Sequence, residues 1–351
     1  MSSQPQFRLS VLDLSPVPSG STSGQALQNT LDLAPFVEGL GYTRFWLAEH
    51  HNTGLLACSS PEILISQVAA RTSTLRVGSG GVMLPNHAPL KVAENFRTLE
   101  ALFPRRIDLG LGRAPGTDPR TAVALRGTRE ALRADDFPSQ LEELQRYLAD
   151  VPTVDRVVRA MPAGVEVPEI WLLGSSDFGA QLAAQRGLGF VFAHHINQSP
   201  ALAALRFYHE NFQPSESLNA PRAMLTVAAV CAETDEAAEE LAGSANLVWL
   251  RFQQGRFGDP LPSVQQANAY QYSEVEREFL EASRERMFVG SPETIRNELG
   301  TLAAQCGVEE IMVTSLIHDH TARKRSYELL ARAFEVQSTV EIDRTLSASG
   351  A

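Results

Sequence analysis

Residues 75–113 read LRVGSGGVMLPNHAPLKVAENFRTLEALFPRRIDLGLGR, and this stretch decides the fold. Residues 75–84 read as a strand, 89–103 as the helix that follows, and 107–112 as the next strand. The same alternation continues in both directions. Upstream, 7–14 is a strand, 24–40 an amphipathic helix ended by Gly41, 44–48 a second strand and 59–72 a second helix. Downstream the pattern loosens, with helical segments at 121–133 and 139–149 before a fifth strand at 169–173. Then come a helix at 176–186, a sixth strand at 190–193, a helix at 201–212 and a seventh strand at 224–231. A largely helical stretch follows, irregular from 254 to 268. An eighth strand at 309–315 and a closing helix at 323–334 complete the series.

Eight strands separated by helices is the count of a (β/α)8 barrel. Runs such as Ile311-Met312-Val313 are apolar at consecutive positions, as strands buried on both faces are. A doubly wound open sheet is the alternative. No repeat and no linker divides the chain, so 1–351 reads as one domain with a core at about 7–335. The small, polar tail from 338 is expected to fray.

Hydrophobic residues make up 44% and charged residues 20% of the 351, enough apolar material for a large core. No run approaches the roughly 18 apolar residues of a membrane span. Residues 1–6 lack the charged and apolar parts of a secretory signal. The expectation is a cytoplasmic protein with no membrane partner. A formal net charge of −11 argues against nucleic acid as a partner. It leaves room for a local phosphate pocket built from one arginine and backbone amides. Cys58, Cys231 and Cys306 are too widely spaced for a zinc cluster or a disulfide framework, and read as small buried hydrophobes.

In such barrels the chemistry sits at the carboxyl ends of the strands. Unusual residues collect there: Glu49-His50-His51-Asn52, Gly78-Ser79-Gly80-Gly81, Gly110-Leu111-Gly112-Arg113, Gly174-Ser175-Ser176 and His194-His195. Without Cβ atoms, Gly78, Gly80 and Gly81 allow a flat ligand to approach the backbone, although a simple bulge explains them too. Arg113, before the rigid Ala114-Pro115-Gly116 turn, suits bidentate phosphate binding, and equally a salt bridge. Ser176 or Asp177 would cap the helix after the fifth strand, leaving amides for a phosphate or serving ordinary capping. Neighbouring residues on a strand point oppositely, so one histidine of each pair is expected to face the mouth. A metal site is the weaker reading, because neither the first nor the fifth strand supplies a histidine. Neutral histidines that donate or accept protons fit better. Phe192, Trp249, Phe252 and Phe257 are candidates for an apolar pocket wall, against ordinary core packing.

These motifs, taken in order, resemble the luciferase-like flavin-dependent monooxygenases. The likeness rests on Glu49-His50-His51, on 78–85 followed by 89–94, on 105–113, on Gly174-Ser175-Ser176, on 183–195 and on 287–315, where Val289-Gly290-Ser291-Pro292-Glu293 looks like the entry to the last βα unit. It spans most of 8–330; each motif is weak alone and the ordered set is specific. Residues 112–118 are closer to the bacterial oxidoreductase branch than to the light-emitting luciferases.

The resemblance implies a (β/α)8 TIM barrel with helical insertions, a homodimer formed through the helices after the second and third strands, and exchangeable reduced FMN at the strand ends. It implies a non-prolyl cis peptide at Ser79–Gly80 beside the flavin ring, with Ser79, Gly80 and Gly81 contacting the cofactor. Arg113, Gly174, Ser175 and Ser176 would hold its phosphate, and His194 would line the pocket. His50 would be catalytic, hydrogen bonding to the activated oxygen, with Glu49 orienting it. The loops after the fourth and seventh strands would close over the site. The implied reaction is oxidation of a small organic substrate by dioxygen, with reduced flavin delivered by a separate reductase.

Three departures stand out. Gly179 replaces a phosphate-touching hydroxyl residue of many relatives, Asp177 brings negative charge near the phosphate, and Gly112 replaces the luciferases' cysteine, so light emission is not expected. Two further readings are a deazaflavin-dependent oxidoreductase on the same barrel and a flavin-binding protein without catalysis. All three cofactor readings require Gly80, Arg113 and Ser176 to share one rim.

Overall fold

Parity along each strand explains why these segments close into a cylinder. The computed structural model describes residues 7–128, 136–149 and 158–336. In β1 (Arg8–Asp13), Leu9 and Val11 pack into the outer layer while Leu12 joins the inner one. In β2 (Arg44–Leu47), Phe45 and Leu47 go outward and Trp46 goes inward, and all four residues are buried. Alternate side chains therefore serve two cores, one between sheet and helices and one inside the barrel. Such strands look continuously apolar in sequence for that reason.

The remaining strands are β3 (Arg76–Ser79), β4 (Val82–Met83), β5 (Ile107–Gly112), β6 (Glu169–Gly174), β7 (Gly189–Ala193), β8 (Ala223–Cys231), β9 (Met287–Gly290) and β10 (Glu310–Thr314). Every pairing between them is parallel. β10 pairs with β1 on one side and with β8 on the other, which closes an eight-stranded barrel and rules out the open sheet. β4 resumes the line of β3 against β5. β9 pairs only with the far end of β8, Ala228–Cys231.

Helices α1 (Ser23–Gly39), α2 (Pro61–Ala69), α3 (Pro89–Leu102), α4 (Pro119–Arg126), α5 (Phe137–Leu148), α6 (Asp177–Arg186) and α7 (Ala201–Asn211) follow the early strands. After β8 come α8 (Asp235–Gln253), α9 (Val264–Ala269) and α10 (Glu274–Ala282); α11 (Pro292–Cys306) and α12 (His320–Ala333) complete the ring. No helix among the described residues is long and apolar enough to cross a membrane.

Two elements differ from expectation. The third strand is interrupted by a cis peptide at Gly80–Gly81, so 75–84 is not one continuous strand. The short strand Met287–Gly290 was not anticipated, because four residues at the foot of a helical stretch carry no usable periodicity. The tail from 338 and residues 129–133 of the expected 121–133 helix lie outside the described residues.

Inside the barrel, Trp46 and Trp171 meet edge to face with ring centroids 5.9 Å apart, among Leu12, Val191, Met224 and Met312. Below them lies a floor of charge contributed by the first turns of the strands. Arg44 donates to Asp108 at 2.6 Å and to Glu310 at 2.9 Å; Arg76 donates through Nε to Asp108 at 2.9 Å. Trp46 Nε1 also donates to Asp108, and Ser10 to Glu310. This charge network fills the amino end beneath the tryptophans.

Candidate active site

At the carboxyl ends of the strands lies a cavity of about 770 Å³. Gly80, Arg113 and Ser176 all line it, together with His50, His51 and His195. The three residues whose separation would have undone the cofactor reading border this same cavity.

One end of the cavity is suited to an anion. Ser176 is the N-cap of α6, and no side chain accepts from its first-turn amides. Those N–H groups and the positive end of the helix dipole remain available. The Arg113 guanidinium lies 4.1 Å from the ring centroid of Phe178, in the first turn of that helix. A cation, open amides and the Ser175 and Ser176 hydroxyls thus meet on one stretch of wall.

The middle of the cavity carries imidazoles. His50 Nδ1 is buried and has no hydrogen-bond partner. Burial pushes His50 down to about 4, and the neighbouring Glu49 opposes that shift only in part. His195 is likewise lowered to about 4 by burial, while its Nδ1 lies 3.2 Å from the carbonyl of Thr226. Both rings are neutral at pH 7, able to donate or accept a proton without carrying charge.

Glu49 is 1% exposed and occupied elsewhere. Its carboxylate is paired with His51 Nε2 at 2.7 Å and His87 Nε2 at 2.9 Å, and accepts from the Met83 amide at 2.8 Å. Burial alone would raise this carboxyl; the hydrogen bonds from His87 and His51 overcome it and hold it below the usual range. The same contact raises His87. Among the described residues, no group of three or more His, Cys, Asp or Glu side chains is arranged to hold a metal ion.

A profile of luciferase-like monooxygenases matches residues 7–310. An Escherichia coli (strain K12) protein named luciferase-like monooxygenase is 42% identical over 320 residues, covering 91% of this chain and 95% of its own. A Bacillus subtilis (strain 168) N-acetyl-S-alkylcysteine monooxygenase is 35% identical over 333 residues, 93% of this chain and 98% of its own. The crystal structure of apo-MsnO8 superposes with a TM-score of 0.88 at 40% identity, covering 96% of this chain and all of the other.

The chain belongs to the luciferase-like monooxygenase family. It is an oxygenating enzyme on a (β/α)8 barrel.

Within this luciferase-like monooxygenase the expected residues sort unevenly. His50, Glu49, Gly80, Gly81, Arg113, Gly174, Ser175 and Ser176 all line the cavity. Ser79 does not: it is fully buried, and its hydroxyl donates to the Gly110 carbonyl at 2.8 Å and accepts from the Gly110 amide at 3.0 Å. Its role is to stitch β3 to β5. The cis bond falls one residue later than the resemblance implies, at Gly80–Gly81. His194 faces away, into a separate cleft beside Phe288, and its neighbour His195 takes the cavity position. Glu49 does not orient His50, because its oxygens serve His51 and His87. His50 and His51 both line the cavity, since they lie beyond the end of β2 where strict alternation no longer applies.

Gly78 is absent from the cavity wall; a Cβ there would lie 2.5 Å from the Asp108 carbonyl oxygen and 2.9 Å from Trp46 Nε1. Its missing side chain makes room for the floor, not for a ligand. Asp177 is exposed and off the wall, so its carboxylate does not cap α6 inward. A Cβ on Gly179 would lie 3.2 Å from the Phe190 ring of β7 and 3.4 Å from Gly174 Cα of β6, so a larger residue there requires a small shift of α6 or of that ring. Of the apolar candidates, Phe252 and Phe257 line the cavity, while Phe192 is core and Trp249 stands behind Phe252. Sequence reasoning missed His87, Arg251 and Arg256. The position of His87, four residues past the strand in an Asn-His-Ala-Pro loop, carries no periodic signal.

Proposed function

We propose that this chain binds reduced FMN and uses dioxygen to insert oxygen into a small organic substrate. The observation that carries the reading is the shared wall: Arg113, the uncapped α6 N-terminus, the Gly80–Gly81 backbone and a buried neutral His50 all border one cavity. Arg113 with the Ser175 and Ser176 amides and hydroxyls would hold the phosphate. Gly80 and Gly81 would lie against the ring. When bound, reduced flavin supplies the electrons that activate dioxygen.

The protein's own contributions are positional and acid–base. His50 lines the cavity with a neutral imidazole, which would donate a proton to or accept one from an oxygen there. His195 offers a second neutral ring whose Nδ1 sits at the Thr226 carbonyl. The wall of Leu12, Leu14, Leu55 and Val191 keeps water from the reacting centre. Exposed Ile63 on α2 and Leu102 on α3 support a homodimer through those helices, at 63% and 62% exposure. A separate reductase supplying reduced flavin, and a cytoplasmic location, complete the reading.

The test is a titration of the protein with reduced FMN, riboflavin and reduced deazaflavin. Arg113→Met should weaken FMN binding by about tenfold or more while leaving riboflavin, which lacks the phosphate, nearly unchanged. Equal losses for both would place the phosphate elsewhere, and tighter binding of the deazaflavin would shift the enzyme to hydride transfer. His50→Ala should keep FMN affinity and divert oxygen to hydrogen peroxide, read by peroxide released per reduced flavin consumed. Unchanged coupling would remove His50 from the chemistry.

A further inference from the structure

The cavity has a second cationic end, far from any role in the cofactor reading. The last turns of α8 place Val248, Arg251 and Phe252 on one face, at spacings of three and four, and all three line the cavity. The chain then turns back, adding Arg256, Phe257 and Asp259 to the same wall. Phe252 and Phe257 meet edge to face with centroids 5.0 Å apart. Leu55 and Leu56 continue the apolar surface from the loop after β2.

Two guanidinium groups here share one carboxylate. Arg256 pairs with Asp259. Arg251 Nε lies 3.5 Å from the same Asp259 oxygen, and it is a buried nitrogen with no hydrogen-bond partner. A single carboxylate cannot neutralise two guanidinium groups, and both of them line the cavity. One positive charge is left over at this end, beside two aromatic rings.

We infer that Arg251 and Arg256 select a substrate bearing a carboxylate on an aromatic or alkyl stem, the carboxylate at the lid and the oxidisable end toward His50. This rests on the monooxygenase reading of the cavity and names the substrate class for it. Asp259 competes with the substrate carboxylate for the two arginines, which sets a moderate affinity and allows release.

The experiment uses calorimetry with 4-phenylbutanoate and its uncharged partner 4-phenylbutanamide, on the protein with and without bound FMN. The acid should bind about tenfold or more tightly than the amide. In the Arg251→Met, Arg256→Met double variant that preference should vanish, with FMN affinity unchanged. Asp259→Asn should act oppositely and tighten the acid alone several-fold, a gain that a misfolded lid would not give. Equal binding of acid and amide, or a preference that survives the double variant, overturns the inference. So does a fall in FMN affinity in the double variant, which would assign the arginines to the cofactor. A protein that discriminates acid from amide yet binds no FMN would sink the flavin reading and leave this one standing.

Discussion

At the floor of the barrel, Arg44 is fully buried and gives Nε to Glu310 and Nη1 to Asp108, leaving only Nη2 without a hydrogen-bond partner and its guanidinium 5.1 Å from the Trp171 ring. At the mouth, His50 Nδ1 and Arg251 Nε are also buried and have no hydrogen-bond partner. The same kind of group is thus treated in opposite ways at the two ends. Where charges are satisfied by one another they fix strand register and exclude water. At the mouth, Arg251 and Arg256 share the single carboxylate of Asp259, and this leftover charge underlies the proposed substrate site. Unpartnered buried nitrogens occur at both ends, Arg44 Nη2 at the floor among them, but at the floor the charge itself is balanced by neighbouring carboxylates.

The sharpest way to break this contrast is at the floor. Asp108 accepts from Arg44, Arg76 and Trp46 together. Asp108→Asn should cost about 3–5 kcal/mol of stability, because it leaves buried guanidinium charge uncompensated. Urea denaturation checks it. A loss below about 1 kcal/mol would mean that the floor is not a structural plug, and the division of labour would fail.

How much of this was readable from the chain differs between the two ends. The barrel itself was legible, because eight runs buried on both faces leave a clear alternation with helices. The wall proposed to hold an anion was legible for a local reason: Arg113 and Ser176 stand just after strands, where the fold puts its mouth. The floor was not read, although Arg44, Arg76, Asp108, Glu169 and Glu310 are charges set at the starts of strands. A charge inside an apolar strand was the available signal. Glu49 was paired with His50, whereas its carboxylate meets His51, two residues on, and His87, 38 residues away on another loop. The His194/His195 choice turns on where β7 ends, a boundary of one residue, and short motifs do not fix it. Arg256 was hidden in an irregular stretch tied to the loop after β2, and Arg251 in the last turn of a helix whose direction toward the mouth no local pattern gives.

A pH titration sharpens the contrast with a middle-sized effect. His50 and His195 have folded values near 4, depressed by burial from 6.5. A depressed value means the neutral ring is favoured on folding, so the stabilisation is complete above about 6.5 and drains as pH falls toward 4. Stability measured by denaturant should therefore fall across that window. His50→Asn should lessen the fall, because one of the two buried rings is gone. His87, raised by Glu49, works in the other direction: its contribution is present below 6.5 and is lost as pH rises through its higher folded value. A wild-type stability that is flat from pH 6.5 to 4 would show the two rings to be solvated in the folded protein, and the mouth would not be the desolvated end.

The smallest expected effect on stability is at the strap that carries Arg256 and Phe257. Thr53 Oγ1 donates to the Phe257 carbonyl at 2.9 Å, and the Gly54 amide donates to the same oxygen at 3.3 Å. A Cβ on Gly54 would lie 2.0 Å from the Gly258 carbonyl oxygen, backbone that cannot step aside without moving the strap. Leu261 further along is anchored to Val17 and Ser19 through backbone hydrogen bonds, so the displacement is confined to the segment over the cavity. Gly54→Ala should then cost little, under about 1 kcal/mol, since residues 254–258 are exposed and bury almost nothing. It should nonetheless speed proteolytic cutting between 254 and 259 and weaken ligand binding at the lid. The floor variant should do the reverse, lowering stability heavily while leaving the lid's protease sensitivity unchanged under native conditions. If Gly54→Ala unfolds the barrel as readily as Asp108→Asn, the mouth is as structural as the floor, and its unpartnered nitrogens need another explanation.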